Sequence, residues 1–458
     1  FQAALTLSGI AGMVLSLGTA VDANVLIYER TKEELALGKD TRQAMSEGYR
    51  NAFSAIFDSN FTSIITGIIL YVFGTGPIRG FATTLIIGII CSFFTAVYLT
   101  RLVFENRMNK GKWLNLTFTT GISRNLMTNT HIGFMNFYKK TFSFVGVIIL
   151  VAIVSFAVRG LSRSIDFTGG RNYVITFERP VEPEQIRGII ANAFPGTTTS
   201  ALALGTDHKT IRISTNYKIE SNSPTVDDEA ETILYKALKK AGFVSQPNVE
   251  SFKNPDIREG GSIISSTKVG PSVAKDITHG AILSVVLALF AIFVYILIRF
   301  RNMAFSIGST VALAVDTIIV LGVYSLCWGW MPFSLEIDQT FIGAILTVIG
   351  YSINDKVVVF DRIRENMQLH QKQDFKTLFN DSINQTLTRT INTSTSTLIV
   401  LLCIFFLGGE SIRSFSFAMS LGVIVGTLSS IFVAAPIAFL TLGKQKGKRR
   451  ASEEVVEA

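Results

Sequence analysis

Charged side chains are scarce in this chain. Lys, Arg, Asp and Glu make up 17% of its 458 residues, whereas a soluble globular domain carries about 25%. Hydrophobic residues make up 48% of the sequence, and its mean hydropathy is +0.41. This composition argues against a soluble globular protein and indicates a membrane protein with many spans.

The residues that build disulfides, metal centres and nucleotide sites are also few. The three cysteines, Cys91, Cys327 and Cys403, lie in or beside apolar segments without CxxC spacing. The four histidines show no metal-ligand spacing, and the sequence contains neither a GxxxxGK[ST] phosphate loop nor an HExxH motif. These absences argue against a disulfide framework, a metal site and ATP-driven work, so we expect a protein that is not an enzyme.

Nine apolar segments are each long enough, at about 20 residues, to cross a bilayer as a helix. They lie near residues 5–27, 55–73, 81–100, 142–158, 280–298, 304–326, 340–360, 391–407 and 415–441. Connections 28–54 and 101–141 are rich in Lys and Arg, whereas connections 74–80, 327–339 and 408–414 contain one basic residue at most. The positive-inside rule therefore places the first group and the basic carboxy-terminal tail in the cytoplasm, and the second group outside.

The basic residues of the tail have two readings. The net charge of the chain is +8, and a cluster of Lys and Arg follows the last apolar segment. Attraction of a solvated tail to anionic lipid is favoured over nucleic-acid binding, because the cluster follows directly on a membrane span.

One connection, residues 159–278, is long enough to form a domain and lies outside by the same alternation. Its pattern predicts strands at 173–177, 200–204 and 210–214, helices at 182–193 and 227–241, and a last strand near Val249. This βαββαβ order is typical of a small ferredoxin-like α+β domain.

A sequence repeat relates two parts of the chain. Residues 18–34 align with residues 350–366, and residues 77–81 with residues 411–415. At these offsets Gly18, Val25, Arg30, Glu33 and Gly88 match Gly350, Val357, Arg362, Glu365 and Gly422. The repeat divides the chain into a half with three spans, residues 1–141, and a half with six spans, residues 142–458.

The repeat also carries two expectations. If both halves follow one plan, three spans and a second external domain precede the first residue. Repeats of this kind place the functional site at the interface between the halves, near the middle of the membrane.

Ionisable residues inside the predicted spans mark the candidate site. Asp22 precedes Arg30 by about 12 Å along a helix, and Asp355 lies at a similar depth before Arg362. Arg389 precedes a run of hydroxyl side chains in the eighth span and is the predicted partner of Asp355. Burial favours the neutral carboxylic acid and a nearby guanidinium favours the carboxylate, so a changing Asp–Arg separation can move a proton.

Hydroxyl and amide side chains near these charges form the predicted polar path. They are Asn24, Asn354, Thr393 and Ser394, to which we add Asp316 of the sixth span. Asp316 has no evident partner and is as readily structural as functional. The alternative for the whole set is interhelical hydrogen bonding, at about 0.6 kcal/mol for each bond.

Four motifs together resemble the SecD/SecF family. Residues 20–30 (AVDANVLIYER) are similar to the fourth-span signature of SecD. Residues 165–170 (IDFTGG), 269–272 (VGPS) and 350–365 are similar to SecF. The motifs occur in the family's order and the resemblance covers nearly the whole chain. The chain resembles a fused SecDF protein-export membrane protein of the resistance-nodulation-division superfamily that lacks the amino-terminal part of the SecD half.

The resemblance implies a fold, a role and a location. It implies an accessory subunit of the Sec translocase that uses the proton motive force to promote polypeptide export across the bacterial inner membrane. Residues 159–278 would be periplasmic and the carboxy terminus cytoplasmic. SecYEG, YajC and the translocating preprotein would be the partners, and protons would be the coupling ion, with no bound cofactor.

The resemblance also assigns residues. The acids of the family's proton path fall on Asp22 and Asp355, and its conserved arginine falls on Arg389. The sixth span has Val315-Asp316 where the family usually has His-Asp.

Two other functions compete with this reading. A proton-driven exporter of small molecules or lipids from the same superfamily would use the same membrane physics, but such proteins generally have much larger external domains. A passive scaffold for the translocon would conduct no protons.

Overall fold

The computed structural model describes residues 7–443 except 75, 119–130, 206, 222, 258–259 and 332. The first two residues of the predicted span 5–27, part of the connection 101–141 and the basic tail beyond residue 443 lie outside the described residues.

The described part of the first half contains four α-helices. They are α1 Leu7–Ala36, α2 Thr41–Phe73, α3 Gly76–Phe94 and α4 Thr100–Asn109. A π-helical turn at Thr95–Leu99 joins α3 to α4 without a break. Helix α2 begins at Asp40, whose carboxylate accepts a hydrogen bond from the backbone N–H of Gln43. After a short 3₁₀ turn at Phe134–Asn136, α5 runs over Tyr138–Arg159.

The next segment forms an α+β domain. Its helices are α6 Ile165–Thr168, α7 Pro183–Ala193, α8 Pro224–Lys240 and α9 Val249–Lys253, and its strands are β1 Gly170–Thr176, β2 Thr199–Ala203, β3 Thr210–Thr215 and β4 Ser262–Val269. The strands pair antiparallel in the order β2-β3-β1-β4. Alternate residues of β1 and β3, including Tyr173, Ile175, Ile211 and Ile213, pack with apolar residues of α7 and α8.

The predicted strand near Val249 is wrong. This residue opens the short helix α9, because the Asn248 side chain accepts a hydrogen bond from the Ser251 backbone N–H at 2.7 Å and caps the helix. The last strand is β4, which the sequence pattern did not indicate because its hydroxyl-rich middle, residues 265–267, is exposed. Membership of the ferredoxin-like class stays a prediction.

The second half continues with five long helices. They are α10 Pro271–Phe300, α11 Met303–Cys327, α12 Gln339–Leu369, α13 Phe375–Leu407 and α14 Glu410–Ser429, which continues through a π-helical turn at Ser430–Ala434. Side chains of Asn302, Asp338 and Asp374 cap the first turns of α11, α12 and α13. Helix α10 begins inside the predicted external segment 159–278, because the helix extends beyond its apolar part.

Eight helical segments of the described residues are long and apolar enough to cross a membrane. They are Thr41–Phe73, Ile78–Asn109, Tyr138–Arg159, Pro271–Phe300, Met303–Cys327, Gln339–Leu369, Phe375–Leu407 and Ile412–Gly443. Each contains one of the predicted spans or most of it, and residues 7–27 of the first predicted span lie in α1, which is not among the eight. The predicted class, a polytopic helical membrane protein, is confirmed.

Helix α12 forms the centre of the bundle. Its residues 341–360 are buried with the exception of Ile342, and it packs against α2, α3, α10, α11, α13 and α14. Helix α1 packs against α2, α3 and α13. The two helices that carry the predicted acidic residues therefore both lie against partners from the opposite half.

The sequence repeat is visible in the packing. A Cβ atom at Gly88 would lie 2.4 Å from the Cβ of Ser16, and one at Gly422 would lie 2.2 Å from a methyl group of Val348. Ser16 and Val348 are equivalent at the offset that relates Gly18 to Gly350. Each half thus uses a glycine at the same place to bring two helices into close contact.

The α+β domain is attached to the ends of two membrane helices. The Ile337 backbone N–H donates to the Ser162 carbonyl at 2.7 Å, and the Ser164 N–H donates to the Ile337 carbonyl at 3.0 Å. The Ala203 N–H donates to Glu410 Oε2 at 3.1 Å. Because Ile337 immediately precedes α12 and Glu410 begins α14, the domain is linked directly to both helices.

Candidate functional site

Asp22 and Asn354 meet at the interface between the halves. Helix α1 carries Asp22 and helix α12 carries Asn354, and the Asn354 amide donates a hydrogen bond to Asp22 Oδ2. Both side chains are buried. Arg389 of α13 interacts electrostatically with Asp22, although no ion pair within 4.0 Å joins them in the described part of the chain. The acid and the guanidinium are therefore near each other but not in direct contact.

A small polar cavity lies between these side chains. Its volume is about 20 Å³, which is room for about one water molecule. It is lined by Thr19, Asp22, Ser59, Asn60, Ser63, Tyr351, Asn354 and Arg389 together with apolar residues. Within the described residues, Asp22 Oδ1 is buried and accepts no hydrogen bond from the protein. The cavity can therefore hold a water that connects Asp22 to its polar lining.

A second cavity continues from the other side of Arg389. It has a volume of about 70 Å³ and shares Arg389 and Leu26 with the first cavity. Its other lining includes Arg30, Asp361 and Arg362, which lie towards the predicted cytoplasmic ends of α1 and α12. Arg389 thus lies between a charged cavity at the predicted cytoplasmic helix ends and the enclosed cavity at Asp22.

Asp355 is held by two hydroxyl groups. Ser394 of α13 donates to Asp355 Oδ2 at 3.3 Å, and Thr427 of α14 donates to the same oxygen at 3.2 Å. The two hydroxyls are 2.6 Å apart. Asp355 interacts electrostatically with Asp22, Lys356 and Arg389, but no ion pair within 4.0 Å links it to Arg389 among the described residues. Direct neutralisation of Asp355 by Arg389 stays a prediction.

Asp316 has a partner that the sequence analysis did not identify. Lys356 Nζ lies 2.9 Å from Asp316 Oδ2, and both side chains are fully buried. Ser352 donates to the same carboxylate at 2.7 Å, and Lys356 also donates to Ser429 Oγ at 3.0 Å. Lys356 is the one lysine inside a predicted span, and a buried charge is expected to find a partner, but the sequence does not show which acid this partner is.

Two predicted path residues do not contact the acidic side chains. The Asn24 amide donates to the Ala20 carbonyl of its own helix at 3.3 Å. The Thr393 hydroxyl donates to the Arg389 carbonyl at 3.2 Å, again within one helix. No cluster of three or more potential metal ligands occurs where the structure describes the chain.

A third polar cluster joins the halves near the helix ends. Asp58 of α2 accepts hydrogen bonds from the Tyr295 hydroxyl at 2.7 Å and from Arg299 Nε at 2.6 Å, both on α10. Arg299 also donates to Ser54 at 3.0 Å and lies 3.6 Å from Asp361 of α12. The sequence analysis missed this cluster, although Asp58 is an ionisable residue within a predicted span.

Acidic residues also lie where the α+β domain meets the bundle. Burial raises the pKa of Asp166, and the nearby Asp338 carboxylate raises it further. Burial raises the pKa of Glu336 as well, while the Ser200 hydroxyl and the Arg212 guanidinium act in the opposite direction. Burial at this interface therefore makes the ionised form of both carboxyl groups less favourable than in water.

Three families of sequences match parts of the chain. Residues 251–444 match "Protein export membrane protein SecD/SecF, C-terminal", and residues 154–181 match "SecD/SecF GG Motif". Residues 2–103 match the MMPL family. Together these matches cover both halves and the start of the α+β domain.

Similar proteins cover the chain almost completely. Protein translocase subunit SecF of Rhodothermus marinus is 40% identical over 325 residues, which are 71% of this chain and 98% of that protein. Protein translocase subunit SecDF of Bacillus subtilis is 33% identical over 475 residues, which are 98% of this chain and 59% of that protein. The crystal structure of SecDF from Thermus thermophilus superposes with a TM-score of 0.78 at 33% identity and covers 97% of this chain and 56% of that one. The chain thus spans little more than half the length of its SecDF relatives.

Proposed function

This chain belongs to the SecD/SecF family of protein-export membrane proteins, and from that premise we propose that it carries protons through the membrane to promote polypeptide export. Relatives that match 98% and 71% of the chain are named protein translocase subunits. The proposal places the chain in the bacterial inner membrane, with the α+β domain periplasmic and the carboxy terminus cytoplasmic. Its partners would be SecYEG, YajC and the translocating preprotein, and protons would be the coupling ion without a bound cofactor.

The observation that carries this proposal is the shared cavity at the interface of the halves. Asp22 from the first half lines it together with Asn354 and Arg389 from the second half. Asp355 follows Asn354 on the same helix and interacts electrostatically with Asp22. Ionisable groups inside a membrane are costly unless they are paired or hydrated, and they usually mark an ion pathway.

The arrangement gives each group a role in proton transfer. A proton from the periplasmic side is accepted by Asp22, whose Oδ1 accepts no hydrogen bond from the protein among the described residues, and it leaves past Arg389 through the cavity at the cytoplasmic helix ends. Arg389 stabilises the charged form of Asp22 without a direct contact, so the acid can be protonated without breaking an ion pair. Asp355, with its two hydroxyl partners, is the second acceptor.

Proton transfer can be coupled to movement through α12. Each proton that crosses a potential of 100 mV releases about 2.3 kcal/mol. This energy shifts an equilibrium between two packings of the halves only if protonation of Asp22 or Asp355 stabilises them differently. Because Ile337 joins the start of α12 to the α+β domain, a displacement of α12 would be transmitted outward.

The experiment compares Asp22→Asn and Asp355→Asn with the wild type in the full-length protein. Proton entry into vesicles is followed with a pH-sensitive dye, and export of a secretory protein is measured in parallel. Both variants should lose proton entry and proton-dependent export. Asp256→Asn is the matched control, because Asp256 is exposed on the α+β domain, and it should keep both activities.

Each contrary result has a clear meaning. Proton entry that persists in Asp22→Asn and Asp355→Asn would refute the assignment of the relay. Loss of proton entry with undiminished export would show that export does not depend on proton entry through this chain. A wild-type protein that conducts no protons yet supports export would be a passive scaffold.

A further inference from the structure

An apolar groove opens on the outer surface of the second half. It has a volume of about 460 Å³ and lies between α5, α11 and α14, within the size range of small-ligand pockets. Phe144 and Ile148 of α5 form one wall, and Val315 of α11 and Val425 of α14 contribute to the others. All of these helices are long and apolar enough to span a membrane, so the groove faces the hydrocarbon of the bilayer.

One end of the groove is cationic. Lys140 lines the groove, and Lys139 precedes it in the first turn of α5. Both side chains are exposed, and neither forms an ion pair within 4.0 Å with a carboxylate in the described residues. An anion at this end would therefore meet two available ammonium groups.

The groove lies against the buried ion pair of the second half. Ser429 lines the groove and also accepts a hydrogen bond from Lys356 at 3.0 Å. Val315 lines it as well and precedes Asp316, the partner of Lys356. Whatever fills the groove therefore covers the wall that separates this ion pair from the membrane.

We propose that the groove binds one acyl chain of an anionic glycerophospholipid, whose phosphate lies at Lys139 and Lys140. The apolar walls match a hydrocarbon chain, and the two lysines, which have no carboxylate within 4.0 Å among the described residues, match a negative headgroup. The bilayer supplies this ligand at high concentration along the open side of the groove. The bound chain excludes water from the wall at Ser429 and so keeps the Lys356–Asp316 pair dry.

The test measures lipid retention by the purified full-length protein with native mass spectrometry. Delipidated protein is titrated with phosphatidylglycerol and, separately, with phosphatidylcholine of the same chain length. We expect tighter binding of phosphatidylglycerol. The variant with Lys139→Gln and Lys140→Gln should bind it about fivefold more weakly for each lysine removed, and Val425→Trp, which fills the groove, should abolish the bound lipid.

Two matched controls separate the groove from the general surface. Lys110→Gln with Lys112→Gln removes two exposed lysines elsewhere in the same polar connection, and Leu150→Trp enlarges an exposed side chain of α5 that does not line the groove. Both should retain the lipid like the wild type. The proposal is overturned if phosphatidylcholine binds equally well, if Lys139→Gln with Lys140→Gln leaves phosphatidylglycerol binding unchanged, or if the controls lose as much lipid. The lysine variants decide the matter even where Val425→Trp does not fold.

Discussion

Asn354 donates a hydrogen bond to Asp22, and the two residues occupy equivalent positions in the sequence repeat. Equivalent residues can touch only where the pseudo-symmetry axis passes between them, so this axis lies between α1 and α12. The flanking contacts show the same symmetry. Gly18 of α1 packs on Thr397 of α13, and its equivalent Gly350 of α12 packs on Thr66 of α2, so each glycine contacts a threonine of the other half. An acid on one side and an amide on the other supply one acceptor and one donor, whereas two acids would repel each other.

Loss of the Asn354 amide should destabilise the interface of the halves. Asn354→Leu leaves Asp22 Oδ2 buried without a donor, which costs about 1–3 kcal/mol. Unfolding in mixed micelles measures this cost. Asn24→Leu is the matched control, because the Asn24 amide binds only a carbonyl of its own helix, and its effect should stay within about 0.5 kcal/mol. Equal effects of the two variants would show that the Asn354 hydrogen bond is not a significant contact.

The contacts of Asp58 with α10 should stabilise the interface between the halves. Asp58→Ala removes the nearest carboxylate of Arg299, which is partly exposed and keeps Asp361 at 3.6 Å, so the variant should cost less than about 3–5 kcal/mol, the cost of breaking a fully buried pair. The double variant with Arg299→Ala should cost less than the sum of the single variants, which a double-mutant cycle in mixed micelles will show. The exposed pair Arg101 and Glu105 is the control and should contribute no more than about 1 kcal/mol. Strictly additive effects of the two variants would show that Asp58 and Arg299 do not stabilise the interface through their contact.

The helical spans and the central acids were predictable because they depend on local patterns. Apolar length determines a span, and an acidic residue inside such a segment marks Asp22 and Asp355, whereas the contact of Asp22 with Asn354 follows from the packing of α1 against α12. The partners of Asp58 and Asp316 were not predictable in this way. They lie on helices far away in sequence, and their contacts depend on how each helix is rotated about its axis, which a nearly uniform apolar segment does not reveal.

The error at Val249 has a similar physical origin. A short stretch around an apolar residue fits a strand as well as a short helix, and the outcome depends on the capping hydrogen bond that the Asn248 side chain accepts from the Ser251 N–H. Strand β4 was not predicted because its middle is a run of Ser and Thr, which lacks the alternation of apolar and polar residues typical of a half-buried strand. The distances around Arg389 likewise follow from the packing of α13 and not from its sequence.

The glycines at the equivalent helix crossings should not tolerate larger residues. Gly422→Ala would place a methyl group 2.2 Å from Val348, and Gly88→Ala would place one 2.4 Å from Ser16. Such overpacking typically costs about 1–3 kcal/mol. Gly146→Ala is the control in a membrane helix, since no atom lies within 4 Å of the added carbon, and it should be neutral or stabilising. Thermal unfolding in detergent would contradict this prediction if all three variants behaved alike.

Stability at the domain interface should depend on pH through Glu336. Because burial raises its pKa in the folded protein, the folded state holds this proton more tightly than the unfolded chain. Ionisation of Glu336 at neutral pH is therefore destabilising, and that cost disappears as the pH falls through the raised pKa. Glu336→Gln should raise the unfolding temperature at neutral pH and reduce its gain on acidification. Glu184→Gln, at an exposed glutamate, should leave the pH profile unchanged.

The Asp316–Lys356 pair decides whether Asp316 belongs to the proton path or to the structure. The two charges are 2.9 Å apart and fully buried, so Asp316→Leu or Lys356→Met alone leaves an unpaired buried charge and should cost about 3–5 kcal/mol. Replacing both removes the charges together and should restore most of the stability, because an apolar pair fills the site without a desolvation cost.

Proton entry measured in the same double variant separates the two roles. If the pair only orients α12, the double variant should conduct protons at nearly the wild-type rate, because Asp22, Asp355 and Arg389 are untouched. Ser429 keeps its hydrogen bond to the Gly426 carbonyl of its own helix at 3.1 Å, whereas the Ser352 hydroxyl loses its partners Asp316 and Lys356. A stable double variant that no longer conducts protons would place Asp316 in the relay, since its carboxylate would then be needed for more than the position of Lys356.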